Sequence, residues 1–340
     1  MEVTRPQERA ASCRRSPCMF VPTHPTPGRK AADKYRNRPA YPANRRDAQT
    51  HNLRMLVILG FIIAFACVFG TYVLHGGNIG VVAKALPFEM LTIGGAALGA
   101  FIVANQPKVI KATLRALPAA FKSSKYNKER FLELMALLYE ILQKARKEGL
   151  MSVESDVEAP AESPIFSKYP NVLNDVHVME FLTDYLRMMV SGNLNAHEIE
   201  SLMDSEIEAH HQEAHAPIAA LGRMAGGLPA FGIVAAVLGV VNTMGSVGQP
   251  PAILGAMIGS ALVGTFLGIL LAYAVVEPIA GLIEQQTQDA AKEFECIKIT
   301  LLASMQGYNP STAIEFGRKV LFSTERPGFL ELENHVKGKK

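Results

Sequence analysis

Residues 224–276, MAGGLPAFGIVAAVLGVVNTMGSVGQPPAILGAMIGSALVGTFLGILLAYAVV, decide the fold: 53 residues between Arg223 and Glu277 carry no charge. About 20 apolar residues cross a bilayer core as a helix, so this stretch is long enough for two crossings and a turn. The turn is Gly245-Ser-Val-Gly-Gln-Pro-Pro251, whose glycines and paired prolines break a helix. Outward from it lie two further runs. No residue between Arg54 and Lys84 is charged, and Leu56–Leu74 is compactly apolar; Met90–Asn105 is uncharged between Glu89 and Lys108. The pattern predicts four transmembrane helices, near 56–74, 88–106, 228–246 and 254–277.

Composition agrees. Of 340 residues 49% are hydrophobic and only 19% charged, whereas soluble domains carry about a quarter charged residues. Cys13, Cys18, Cys67 and Cys296 are scattered, with neither a disulfide framework nor a zinc spacing. A small secreted scaffold, a disordered chain and a nucleic-acid binder are poor fits. The net charge of +3 conceals an asymmetry: residues 1–54 hold 12 Lys and Arg against four Asp and Glu, together with seven prolines and no apolar run. Such a segment cannot bury enough apolar surface to offset its ordering entropy. It reads as a disordered basic extension, or as an over-long start with the initiator at Met55.

The loops predict orientation. The links at 75–87 and 245–253 hold one basic residue and none, whereas the second span is followed by Lys108, Lys111, Arg115, Lys122, Lys125, Lys128 and Arg130. Juxtamembrane Lys and Arg of this density stay in the cytoplasm. The expected architecture is an all-α membrane protein. Two helical hairpins (55–107 and 228–280) flank a cytoplasmic helical domain (108–227), a helical tail (281–340) follows, and both termini are cytoplasmic. Phe131, Leu134, Leu137, Leu138, Ile141 and Leu142 recur at helical spacing and end at a basic turn before Gly149. A second amphipathic helix, Val178 to Met189, stops at Gly192, and an acidic stalk from Asn195 leads into the third span.

Inside the membrane the chain offers little chemistry. Glu89 and Glu277 read as lying at the outer and inner span edges, which leaves no mid-membrane ionisable group. A proton carrier needs one; either the chain moves no ion or a partner helix supplies the titrating group. Small residues are plentiful, as Gly95-xxx-Gly99, Gly255-xxx-Gly259 and Gly264-xxx-Gly268, a spacing that permits close helix approach. His211-xxx-His215 has metal-ligand spacing, but no third ligand stands near it, so no metal site is expected. No phosphate-binding loop or nucleophile elbow appears, and neither an enzyme nor a cofactor is expected.

Leu228-Pro-Ala-Phe-Gly-Ile-Val-Ala-Ala-Val-Leu-Gly-Val-Val241 and Gly264-Thr-Phe-Leu-Gly-Ile-Leu-Leu-Ala-Tyr273 resemble the third and fourth spans of the MotA family of flagellar stator subunits. Ser124-Lys-Tyr126, Asp184-Tyr-Leu-Arg187, Leu202-Met-Asp204 and Glu315-Phe-Gly-Arg318 extend the likeness over about residues 55–335. The resemblance implies a bacterial inner-membrane subunit that surrounds the single membrane helix of MotB, which brings the proton-accepting aspartate. It implies five subunits around two MotB chains, and a cytoplasmic domain that turns proton flow into torque on the rotor protein FliG. By the same resemblance Arg146 and Glu154 contact the rotor, Pro229 and Pro278 form the coupling hinge, and Thr265, Ala236 and Tyr273 line the ion path. Sodium-driven relatives tend to place a threonine where this chain has Ala236, so a proton is the expected ion. The rivals are an ExbB/TolQ-type energiser, usually of three spans, and a secondary transporter, which needs a polar cluster in the membrane.

Overall fold

The computed structural model describes residues 46–122, 124–192 and 195–337, and among these no strand occurs. Of the segment read as a disordered extension, residues 1–45 lie outside the described residues, and 46–54 are the first turns of α1, Arg46–Leu74. Helix α2, Ile79–Ala104, starts nine residues before the expected second span. Charge places the border at Glu89, whereas the start is set by Asn78, whose side chain accepts from the Gly80 amide at 2.9 Å. Pro87 therefore lies within a membrane helix, where such breaks are tolerated.

A short amphipathic α3, Pro107–Ala120, and then α4, Lys128–Glu148, follow. Asn127 caps α4, and Gly149 closes it with φ +91°, a conformation that favours glycine. Two small helices, α5 (Glu154–Glu158) and α6 (Pro170–Leu173), lead to α7, Val176–Ser191, which ends on a left-handed Gly192. The acidic stalk and the third span are one helix, α8, Ala196–Met244, 49 residues long, begun by a capping box between Asn195 and Glu198. At 1.5 Å per residue it is about 70 Å long, over twice a bilayer core. The Gly/Pro turn ends it, and Pro251 opens α9, Pro251–Leu271, at its favoured first position. A π-helical segment, Ala272–Val276, joins α9 to α10, Glu277–Met305, without a break. α11 (Pro310–Val320) and α12 (Phe329–Lys337) complete the chain. Among the described residues, four helices are long and apolar enough to cross a membrane: Met55–Leu74, α2, α8 and the run Pro251–Met305.

α8 and α9 pack backbone to backbone. A β-carbon on Gly268 would stand 2.7 Å from the Leu228 carbonyl oxygen and 3.0 Å from Gly232 Cα; one on Gly232 would stand 2.8 Å from the Gly264 oxygen. Only glycine fits such a crossing. Of the three Gly-xxx-Gly pairs, Gly264-xxx-Gly268 alone serves it, since β-carbons at Gly95, Gly99 and Gly255 would meet nothing within 4 Å. α2 covers this pair through Ile93 and Ala97 against Leu228, Ala235 and Leu267. The apolar window of α1 is 0% buried within the chain, so its surface is left for lipid or for neighbouring subunits.

Beyond the membrane segments, α4, α7, the first turns of α8, the last turns of α10 and α11 enclose a core around Leu134, Leu138, Phe181, Tyr185, Met203 and Ile297. A smaller cluster of Ala120, Ile218, Leu221, Ala280 and Ile283 lies between it and the membrane spans. Substitution at the helix crossing should be costly in a way that substitution elsewhere is not. Gly268→Val should destabilise the detergent-solubilised protein by about 1–3 kcal/mol, because rigid backbone must move. Gly255→Ala should leave its thermal unfolding midpoint unchanged.

Candidate functional site

Two of the three residues assigned to an ion path, Thr265 and Ala236, occupy one level of the α8–α9 crossing. A β-carbon on Gly232 would lie 3.3 Å from Thr265 Cα, and one on Gly264 would lie 3.1 Å from Ala235 Cβ. Thr265 and Ala236, each next in sequence to one of these contacts, are thus at the same depth and half-buried. Tyr273 is two turns further along, in the π segment, and 62% exposed. The crossing carries a side-chain hydroxyl at Thr265 and a methyl at Ala236.

One group at this depth escaped the sequence reading. Glu89, expected at the outer edge, lies ten residues inside α2 and points into the bundle. Its Oε2 is buried and without a hydrogen-bond partner among the described residues, 2.6 Å from where a β-carbon on Gly264 would stand. The expectation that Glu89 marks a span edge is therefore corrected: it stands inside α2, beside the α8–α9 crossing. A uniform apolar window around residue 90 does not reveal depth; the early helix start at Asn78 does.

Pro229, inside α8, and Pro278, the second residue of α10, both lie on the helical-domain side of the Gly232–Gly268 crossing. Pro229 lies inside α8 rather than at a helix start, so it deprives an interior carbonyl of its amide partner. Pro278 comes directly after the wider turns of Ala272–Val276. π segments of this kind gather at functional places in helices.

Arg146 and Glu154 are both exposed and flank the corner between α4 and α5. The corner itself is pinned. Lys144 Nζ lies 2.7 Å from buried Asp156, whose other oxygen accepts from Ser163 Oγ at 2.6 Å. Asp156 holds the two charged positions in a fixed relation without facing solvent.

The same α4 is tied to the membrane helices at its other end. Arg130, buried, donates through Nε to Glu293 on α10 at 2.9 and 3.1 Å and through Nη2 at 2.9 Å. Its remaining donors reach the Asn171 carbonyl at 2.8 Å and Asp175 at 2.8 Å, and Lys125 also bonds Asp175 at 2.7 Å. Burial by itself pushes Asp175 up, but the hydrogen bonds from Lys125 and Arg130 outweigh it and hold the carboxyl below its ordinary range. The stability it adds is complete at neutral pH and lost as pH falls through that lowered value. His211 and His215 stack at 5.8 Å, and no group of three metal-ligating side chains occurs among the described residues.

These features describe a multi-pass helical membrane protein whose spans continue into a helical domain. Residues 58–149 match the family described as Motility protein A N-terminal, and residues 174–296 match the MotA/TolQ/ExbB proton channel family. Motility protein A of Salmonella typhimurium is 50% identical over 283 residues, which span 83% of this chain and 95% of that protein. Its counterpart in Escherichia coli is 49% identical over 286 residues, 84% and 96% of the two chains. In fold, the flagellar MotAB stator complex of Bacillus subtilis matches with a TM-score of 0.62 at 26% identity, over 83% of this chain and 98% of that one. A C. jejuni MotAB chain matches with a TM-score of 0.65 at 23% identity, over 81% and 98%. The chain belongs to the Motility protein A family of flagellar stator subunits.

The buried clamp generates a stability test. Glu293→Ala should destabilise the protein by about 3–5 kcal/mol, since it removes the buried anion that takes three of the guanidinium's contacts and leaves Asp175, which Lys125 shares, as its charge partner. Replacing both partners, as Arg130→Met with Glu293→Leu, should recover most of that loss in thermal unfolding.

Proposed function

We propose that this chain is the wall and lever of a proton-driven stator in the bacterial inner membrane. Five copies surround two MotB-type helices, each bringing the proton-accepting aspartate. Both termini and the helical domain are cytoplasmic, because the basic run from Lys108 to Arg130 follows the second span. Proton passage is felt at Thr265 and Ala236, Pro229 and Pro278 give way, and Arg146 and Glu154 press on FliG. Tyr273 borders the path where it opens toward the hinge.

One observation carries this reading. The run Pro251–Met305 extends without a break from the candidate ion path into the domain core. There Glu293 is clamped to Arg130, and α4 runs on from Arg130 to Arg146. Movement at the channel therefore reaches the contact surface through two helices and one buried ion pair. Exposed charges suit a contact that forms and breaks with each step, because each ion pair in water is weak and steers more than it binds.

The contact is tested by charge reversal. Arg146→Glu should reduce swimming in soft agar, and reversing an acidic rotor residue should restore part of it. Full swimming by Arg146→Glu with Glu154→Lys would rule out an electrostatic contact at this corner.

The ion is tested separately. The path offers one side-chain oxygen at Thr265 and a methyl at Ala236, and sodium stripped of water requires several oxygen ligands. Tethered cells should keep rotating in sodium-free potassium buffer and stop when a protonophore collapses the gradient. Speed that follows external sodium through protonophore treatment would reverse the ion assignment.

A further inference from the structure

Glu89 has no task in the coupling just described, yet its surroundings are built for it. A side chain at 264 would collide with Oε2, so glycine there makes the room. A β-carbon at 264 would touch both the carboxyl and the Ala235 methyl group, so Glu89 reaches the crossing beside Thr265 and Ala236 at the one place where α9 presents bare backbone.

Among the described residues no ion pair balances it. Along α8 and the α9–α10 run, Arg223 and Glu277 are the nearest charged groups to this depth, each more than three turns away. Arg223 is engaged with Asn105 at 2.9 Å, and Tyr273, the titratable group next along the run, is itself two turns beyond Thr265. On α2 itself Lys84 is exposed and more than one turn distant. A carboxyl with an unpartnered buried oxygen and no cation nearby has one ready partner, a mobile proton. Ionisable groups kept at such depth mark proton relays.

We propose that Glu89 is a proton-relay residue of the channel wall, contributed by this chain, which takes up a proton from the outer side and passes it to the path at the level of Thr265. The proposal rests on the channel reading above. On uptake an O–H bond of hydronium breaks as one forms on Oε2. On release that bond breaks and a water of the path regains the proton. The carboxyl returns to its starting state.

The test uses cells lacking their own stator genes, complemented with the full chain and its MotB partner. Two quantities are measured: recruitment of labelled stators to motors, and low-load bead speed across a range of external pH. Glu89→Gln keeps the shape and removes titration. It should be recruited normally, run about tenfold slower at low load and lose the pH dependence of speed. Glu89→Asp keeps an acid one methylene further back and should fall between Gln and wild type. A role in packing gives the opposite order, because Gln fills the space and Asp leaves a gap. Wild-type speed with Glu89→Gln, or Gln stators that are not recruited, would overturn the relay. Failure of the wild-type chain to restore rotation would instead sink the stator reading itself.

Discussion

The backbone contact between α8 and α9 is the constraint on which the rest depends. With Gly232 and Gly268 this close, the crossing has almost no side-chain thickness. Three consequences follow from that thinness. The two helices act as one stiff unit, since neither can slide without its neighbour's carbonyls being struck. Thr265 and Ala236 come to one depth. A carboxyl from α2 can approach the crossing from behind, because Gly264 presents no side chain there. Apolar burial cannot drive this association within lipid, so fit between backbones has to supply it.

The helical domain answers with electrostatics of the opposite kind. Arg130 spends its planar set of donors on Glu293, Asp175 and the Asn171 carbonyl, in a site from which water is largely excluded. Such a cluster gives little net stability compared with an apolar replacement, but it fixes geometry, since a half-broken version is very unfavourable. A lever needs that property. Lys144, Asp156 and Ser163 repeat the arrangement on a smaller scale at the far end of α4.

Much of this fold was legible from residue order. The Gly/Pro turn at 245–251, the caps at Gly149 and Gly192 and the four apolar runs are local signals, and local signals survive in a single sequence. The depth of Glu89 was not legible, because it depends on where α2 starts and on which helix lies opposite. Arg130 and Glu293 are 163 positions apart and look like ordinary surface charges until α4 and α10 are packed together. Nothing in the sequence separates buried Asp156 from exposed Glu154 two positions before it. The continuity of α8 is half visible in the sequence: the stalk and the span each carry a helical pattern, and Pro229 between them gives no sign of whether it starts a helix or interrupts one. Of the glycine pairs, spacing identified three candidates, and only the packed structure separates the one at 264 and 268 from the others.

The five residues from Ala272 to Val276 have a geometric consequence. A π turn holds one residue more than an α turn. The helix below it is therefore out of phase with the helix above, by the roughly 100° that one residue occupies in an α-helix. The azimuth at which Thr265 faces its neighbours and the azimuth at which Glu293 faces Arg130 are thus not set by the count of residues between them alone. Excising a single residue together with the wide turn would restore a uniform helix and leave the lower half on its present bearing, so the extra residue is absorbed locally. Moving the wide turn up or down the helix would turn only the part it passes. A wide turn that migrates in this way trades a small axial shift for rotation of the segment it crosses, and Pro278, which has no amide to donate, already leaves one carbonyl beside it free to change partner.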